Sequence, residues 1–254
     1  MIFPERSIAA FEKAHQLEIP RIEMLTNGVW AKSRRRAQEL TSKLKRSGLN
    51  HLGISVDAFH LEFTPLEYPR NAALASVQAG IEQVTWNVAV VESLQAKNKY
   101  DSKTSQILES LEPVGIEAHV HKVLPVGRAI RSLRKYFKRK SLQGPCSGDP
   151  ILETALKSPE TITIEPSGEV DICWSLAIGN AKKTPLSTII QEYQWRESPI
   201  IRTLVEEGPT GLIDDAGKRG FQFKEPLYVN KCHLCIEVRK ASGSPSLASP
   251  RNRR

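Results

Sequence analysis

Helix-patterned and strand-patterned stretches alternate through the first half of this chain, and that alternation constrains the fold more than any other feature. Residues 5–17 predict a helix with Ile8, Phe11 and Leu17 on a weak apolar stripe, and Pro20 stops it. Residues 21–25 read as a short strand ending at Thr26-Asn27-Gly28. Residues 31–46 predict a strong helix, with Ala37, Leu40 and Leu44 on one face and Gly48 past its end. Then follow a strand over 51–56, a helix over 65–80, a strand over 82–91, a helix over 103–111, a strand over 116–123 and a basic helix over 128–138. Strands separated by helices of this length imply right-handed βαβ units and a parallel sheet. The expected class is α/β. Ligands in such folds bind beyond the carboxyl ends of the strands. Each strand here ends in polar or small residues: Thr26-Asn27-Gly28, Ser55-Val56-Asp57, Asn87 to Ser93, and Pro125-Val126-Gly127-Arg128. Four strands are few for a closed barrel, and the series opens on a helix.

The second half changes character. Gln143 to Gly148 is a turn-rich boundary, which divides the chain into 1–142, 143–240 and a Ser/Pro/Arg tail over 241–254 that reads as disordered. Residues 161–164 and 169–173 form an expected β-hairpin around Glu165-Pro166-Ser167-Gly168. Residues 186–193 and 200–206 read as short helices, the second with Ser198-Pro199 as cap and first-turn proline. Residues 208–220 carry four glycines and a proline and read as loop.

All four cysteines lie in this second half: Cys146, Cys173, Cys232 and Cys235. The last two form a C-x-x-C, a spacing that lets two thiolates grip one centre from a single turn. Four thiolates satisfy either one tetrahedral zinc or one iron–sulfur cluster, and spacing alone does not choose. A thioredoxin-like pair is the rival, but no βαβ strand precedes this C-x-x-C. Four unrelated buried thiols are the plain alternative. His233 inside the motif reads as a supporting or surface residue. The N-terminus lacks the basic start and apolar run of a signal peptide, and no apolar run has membrane-spanning length. A cytoplasmic location is the default expectation, where structural disulfides are rare.

Net charge is +8, and seven basic residues with no acidic one lie between Arg128 and Lys140. A zinc-stabilised module binding nucleic acid or a protein partner through that segment is the alternative reading. Stacking aromatics are sparse, so nucleic acid is the minority partner.

Five segments in order resemble the radical-SAM superfamily, in its members with a C-terminal SPASM or twitch-type auxiliary cluster domain. They are Leu25 to Gly28, Ile54 to His60, Pro125 to Ala129, Ile164 to Cys173 and Tyr228 to Cys235. The resemblance implies an incomplete (β/α) barrel holding S-adenosylmethionine at its strand ends, followed by a small cysteine-rich α+β domain. It implies an auxiliary [4Fe–4S] cluster on Cys146, Cys173, Cys232 and Cys235. It also carries S-adenosylmethionine contacts onto Ser55 and Asp57, with Asn27, Asn87 and Arg128 on neighbouring strand ends. On the bland reading, Ser55 and Asp57 cap the turn after their strand. His60, with Asp57 and Glu62, fits a satisfied strand-end loop better than a metal cluster.

The sequence departs from the family in one decisive respect. The C-x-x-x-C-x-x-C loop that leaves one iron open to S-adenosylmethionine is missing, as is the Gly-Gly-Glu-Pro motif. The cofactor does the radical chemistry and the protein positions it. The 254 residues alone are therefore expected not to cleave S-adenosylmethionine. They read as the C-terminal part of an enzyme, with the missing strands upstream or on a separate chain, or as a degenerate relative. Substrates modified by such enzymes are often peptides or proteins, and nothing in the sequence names one.

Overall fold

The computed structural model describes residues 4–146 and 156–241. The chain divides into two units, Met1–Leu124 and Pro125–Arg254. The division falls ahead of the basic segment rather than at residue 142, so Arg128 belongs to the second unit. Residues 242–254 of the expected tail lie outside the described residues. Among the described residues, no helix is long and apolar enough to cross a membrane.

In the first unit, strand order follows chain order. Helix α1 (Pro4–Gln16) precedes β1 (Glu23–Thr26), α2 (Arg34–Arg46), β2 (His51–Ser55), α3 (Glu67–Gln78), β3 (Gln83–Val90), α4 (Lys99–Leu111) and β4 (Ala118–Lys122). The four strands pair in parallel in the order β1-β2-β3-β4. The α/β expectation holds, with element ends shifted by a few residues. Side-chain capping fixes two of the helix starts: Ser33 accepts from the Arg36 amide, and Asn98 accepts from the amides of Tyr100 and Asp101.

Side chains alternate across a strand, so one face of the sheet can be read directly. Leu52, Ile54, Trp86, Val88 and Val90 share a face and belong to the core, joined by Ala37 and Leu44 of α2, by Ala72, Ala73 and Ala75 of α3, and by Ile107 and Leu111 of α4. Leu25, Gly53, Ser55, Thr85 and Asn87 occupy the other face by the same register. There Leu25 is 64% exposed and its Cδ2 lies over Gly53, where a Cβ would come within 2.4 Å of it. Buried Asp101 secures the loop after β3 by accepting from the amides of Val91, Glu92 and Ser93 and from Asn98 Nδ2. Three backbone donors that the strand end would otherwise leave orphaned are satisfied by one carboxylate.

The second unit begins with α5 (Arg128–Ser132), followed by a 3₁₀ turn at Arg134–Tyr136. The single basic helix expected over 128–138 does not form. Arg134, still exposed, donates to the carbonyls of Leu227 (2.9 Å) and Pro226 (2.7 Å), and Arg139 also donates to Pro226. A three-stranded antiparallel sheet follows: β5 (Thr163–Ile164), β6 (Glu169–Cys173) and β7 (Leu176–Asn180). The hairpin was foreseen; β7 was not. Its turn, Trp174-Ser175, carries none of the usual turn glycine or asparagine, and Ser175 adopts φ 47°.

Helices α6 (Leu186–Gln191), α7 (Pro199–Glu206), α8 (Ile213–Gly217) and α9 (Lys231–Ala241) complete the described residues. Ser198 caps α7 as its sequence indicated. The expected loop over 208–220 is instead a 3₁₀ turn at Pro209–Leu212 running into α8. Gly208 enters it at φ 81°, and a Cβ there would stand 2.1 Å from the Gly144 carbonyl oxygen, so only glycine allows the two loops to meet. The apolar interior is small and split. One cluster gathers Cys146, Leu156, Ile172, Leu176, Ile201, Leu204 and Val205; another gathers Leu142, Tyr228 and Leu234.

Candidate metal centre

Three separate segments bring the four thiols to one place. Cys146 follows Gly144-Pro145, which meet Gly208; Cys173 is the last residue of β6; Cys232 and Cys235 lie on the first turns of α9. All four line one pocket, with Leu156, Trp174, Leu176, Leu204 and Ile236 as its apolar wall. All four are free thiols. Asn230 starts α9 by accepting from the His233 amide at 2.9 Å, which turns both C-x-x-C side chains toward the pocket side of the helix.

His233 is not among the residues lining the pocket. Its Nδ1 accepts from the Val229 amide at 3.3 Å and its ring meets Tyr228 edge-on. Burial, the largest influence, lowers its pKa. It supports the start of α9.

Electrostatics tie the thiols together. Burial first, and then the proximity of Cys235, Cys232 and Cys173, push the Cys146 thiol up to about 12. Burial likewise raises Cys173. Such thiols are poor nucleophiles, the opposite of the low-pKa cysteine that thiol–disulfide catalysis uses. A cationic centre among them reverses the balance, because a coordinating thiol is deprotonated outright.

Two basic residues of α9, neither singled out in the sequence reading, reach from that helix to the loops bearing the other cysteines. Lys231 Nζ donates to the Pro145 carbonyl at 3.0 Å, beside Cys146. Arg239 is 2% exposed, and its Nε donates to Cys235 Sγ at 3.3 Å. Its other nitrogens donate to the carbonyls of Ser175 (2.7 Å) and Trp174, in the turn that follows Cys173. The sequence signal was available: Lys231 adjoins the C-x-x-C and Arg239 stands four residues beyond Cys235, on the same helix face.

Among the described residues, no three or more His, Cys, Asp or Glu side chains form a group that could hold a metal ion in this arrangement. The four thiols share one pocket, and their chemistry suits either one zinc or one iron–sulfur cluster.

In the first unit, Ser55 ends β2 and its register partner is Asn87, which lies within β3 rather than at the strand end expected for it; both are on the face away from the core. Asn27 follows β1, where its Oδ1 accepts from the Val29 amide. Asp57 is fully buried and its acceptors are in use: Oδ1 takes the amides of Phe59 and His60, Oδ2 takes the Ala89 amide at 3.1 Å, and His60 Nδ1 lies 2.8–2.9 Å from both. Burial raises the carboxyl's pKa, but the hydrogen bonds from His60 and the backbone outweigh it and the net shift is downward. The same hydrogen bond raises His60. Asp57 thus plays the turn-capping part, and His60 fits a satisfied loop. Arg128 starts α5 in the second unit, exposed.

In comparisons with known proteins, no family model matches this chain and no curated protein matches it.

Proposed function

We propose that the second unit holds an auxiliary [4Fe–4S] cluster on Cys146, Cys173, Cys232 and Cys235, and that the chain is the C-terminal portion of a radical-SAM-type iron–sulfur enzyme. The observation that carries the reading is the convergence of four thiols from three separate segments on one apolar pocket. Chance burial of four cysteines gives no reason for all to meet, nor for two cations of α9 to tie the ligand-bearing loops together. The choice of a cluster over zinc rests on the resemblance of the ordered segments, since four thiolates suit either. When bound, the cluster supplies one-electron chemistry or an anchoring site for substrate.

The first unit supports the same reading. With every crossover of one hand, sequential order β1-β2-β3-β4 keeps the helices on one side, as in an arc of a (β/α) barrel and unlike a doubly wound sheet. The one-sided core agrees. In such an arc, Ser55 and Asn87 face the interior and are the side chains proposed to meet S-adenosylmethionine, with Asn27 a further candidate. Asp57 contributes by shaping the loop. Catalysis of that kind needs an open-site cluster whose C-x-x-x-C-x-x-C motif these residues do not contain, and the substrate class is a peptide or a small molecule.

Anaerobic reconstitution followed by single Cys→Ser replacements tests the reading. Each of the four replacements lowers iron content and the broad visible absorption of the cluster. Full iron retention in two or more of the four variants contradicts the assignment.

A further inference from the structure

Arg239 is a buried cation that forms no ion pair among the described residues. The buried carboxylate of Asp171 feels its charge, but its Oδ1 has no hydrogen-bond partner and it does not line the pocket. A buried charge without an ion-pair partner is strongly destabilising. Two neutral carbonyls and one thiol offset that cost poorly, and Lys231 in the same pocket wall adds a second positive charge. A guanidinium kept in such a place calls for an anion beside it. The anion the pocket can provide is its own thiolate set, which carries net negative charge even after a metal centre is bound.

We propose that Arg239 is the charge-compensating and potential-setting residue of this centre. The inference rests on the cluster reading given above. Its geometry performs two tasks at once. The Nε–H···Sγ bond to Cys235 places positive charge directly on one ligand. The two bonds to the 174–175 turn hold Ser175 in its left-handed conformation and so fix the position of Cys173. One side chain therefore spans the C-x-x-C helix and the β6–β7 hairpin. Reduction adds an electron to an already anionic centre. A buried cation and an N–H···S bond both favour the reduced form, so both raise the potential. Lys231 acts on the opposite side of the set, where its charge opposes the rise in the Cys146 pKa, but it is more exposed and does not touch sulfur in this way.

The test uses the full chain reconstituted with iron and sulfide. Iron is counted, folding is checked by circular dichroism, and the midpoint potential is read by an anaerobic redox titration followed by EPR. Arg239→Gln, which removes the charge, should keep about four irons and lower the midpoint. Arg239→Lys, which keeps charge but loses the fork, should fall between it and the wild type. If Arg239→Gln loses its cluster, retention of iron by Arg239→Lys with a lowered midpoint still supports the proposal. A midpoint unchanged at equal iron content in Arg239→Gln overturns it, as does loss of the cluster from both variants alike. A wild-type chain that takes up no iron overturns the cluster reading as well, so the two failures are distinguishable.

Discussion

The two units are held together by different means. In the first, a continuous apolar layer of Leu44, Leu49, Leu52, Ile54, Trp86, Val88 and Leu111 lies between sheet and helices, and polar side chains serve mainly at caps and strand ends. In the second, the apolar interior is split, and the places where its segments meet are spanned by Arg134, Lys231 and Arg239 donating to backbone carbonyls. Burial of apolar area suffices for the first. The second gathers its segments around a thiol-lined pocket, and on the proposed reading its stability depends on the centre those thiols bind. On the proposed reading, the first unit is the scaffold and the second the cofactor carrier.

The largest expected effect breaks this contrast if it fails to appear. Cys235→Ser, or iron removal from the reconstituted protein, should destabilise the second unit by several kcal/mol while leaving the first unchanged. Hydrogen exchange resolved along the chain reads the two separately; equal loss of protection in both units contradicts the division. Trp86→Ala should do the reverse. It opens a cavity in the first core at a cost of about 3–5 kcal/mol, with iron content unaffected.

Asp101→Ala comes next. It strips three backbone amides of their acceptor, each worth about 1 kcal/mol or more, and urea titration should show a loss of about 2–3 kcal/mol. A neutral result would mean that water replaces the carboxylate there.

The smallest effect is pH-dependent. His60 is raised by Asp57, so its contribution to stability is complete below the ordinary histidine value of 6.5 and fades as pH rises through its higher folded value. Asp57 is lowered, so its share is present above 3.8 and is lost as pH falls through its folded value. The His60 side chain is 39% exposed, and solvent screens much of the pair. His60→Ala should flatten the alkaline slope of first-unit stability, measured as unfolding midpoint against pH, with little change elsewhere.

How much of this was legible in the sequence differs between the units in the same way. Period and punctuation reveal βαβ alternation, so β1 to β4 and α1 to α4 were readable to within a few residues. Strand β7 was hidden because its turn holds Ser175 at a positive φ without glycine, a conformation supported by Arg239 from 64 residues away. Helix α8 was hidden under a glycine-rich composition. The basic run over 128–140 resembled a solvated helix because sequence alone could not reveal that Arg134 and Arg139 bind carbonyls near residue 226. The four cysteines were legible as a candidate set; their shared pocket and the buried cation beside them were long-range outcomes of packing.

Metal analysis of the anaerobically reconstituted chain tests the central claim most directly. The account predicts a brown protein with about four irons per chain and matching sulfide. A colourless protein carrying one zinc per chain, or no metal at all, contradicts it.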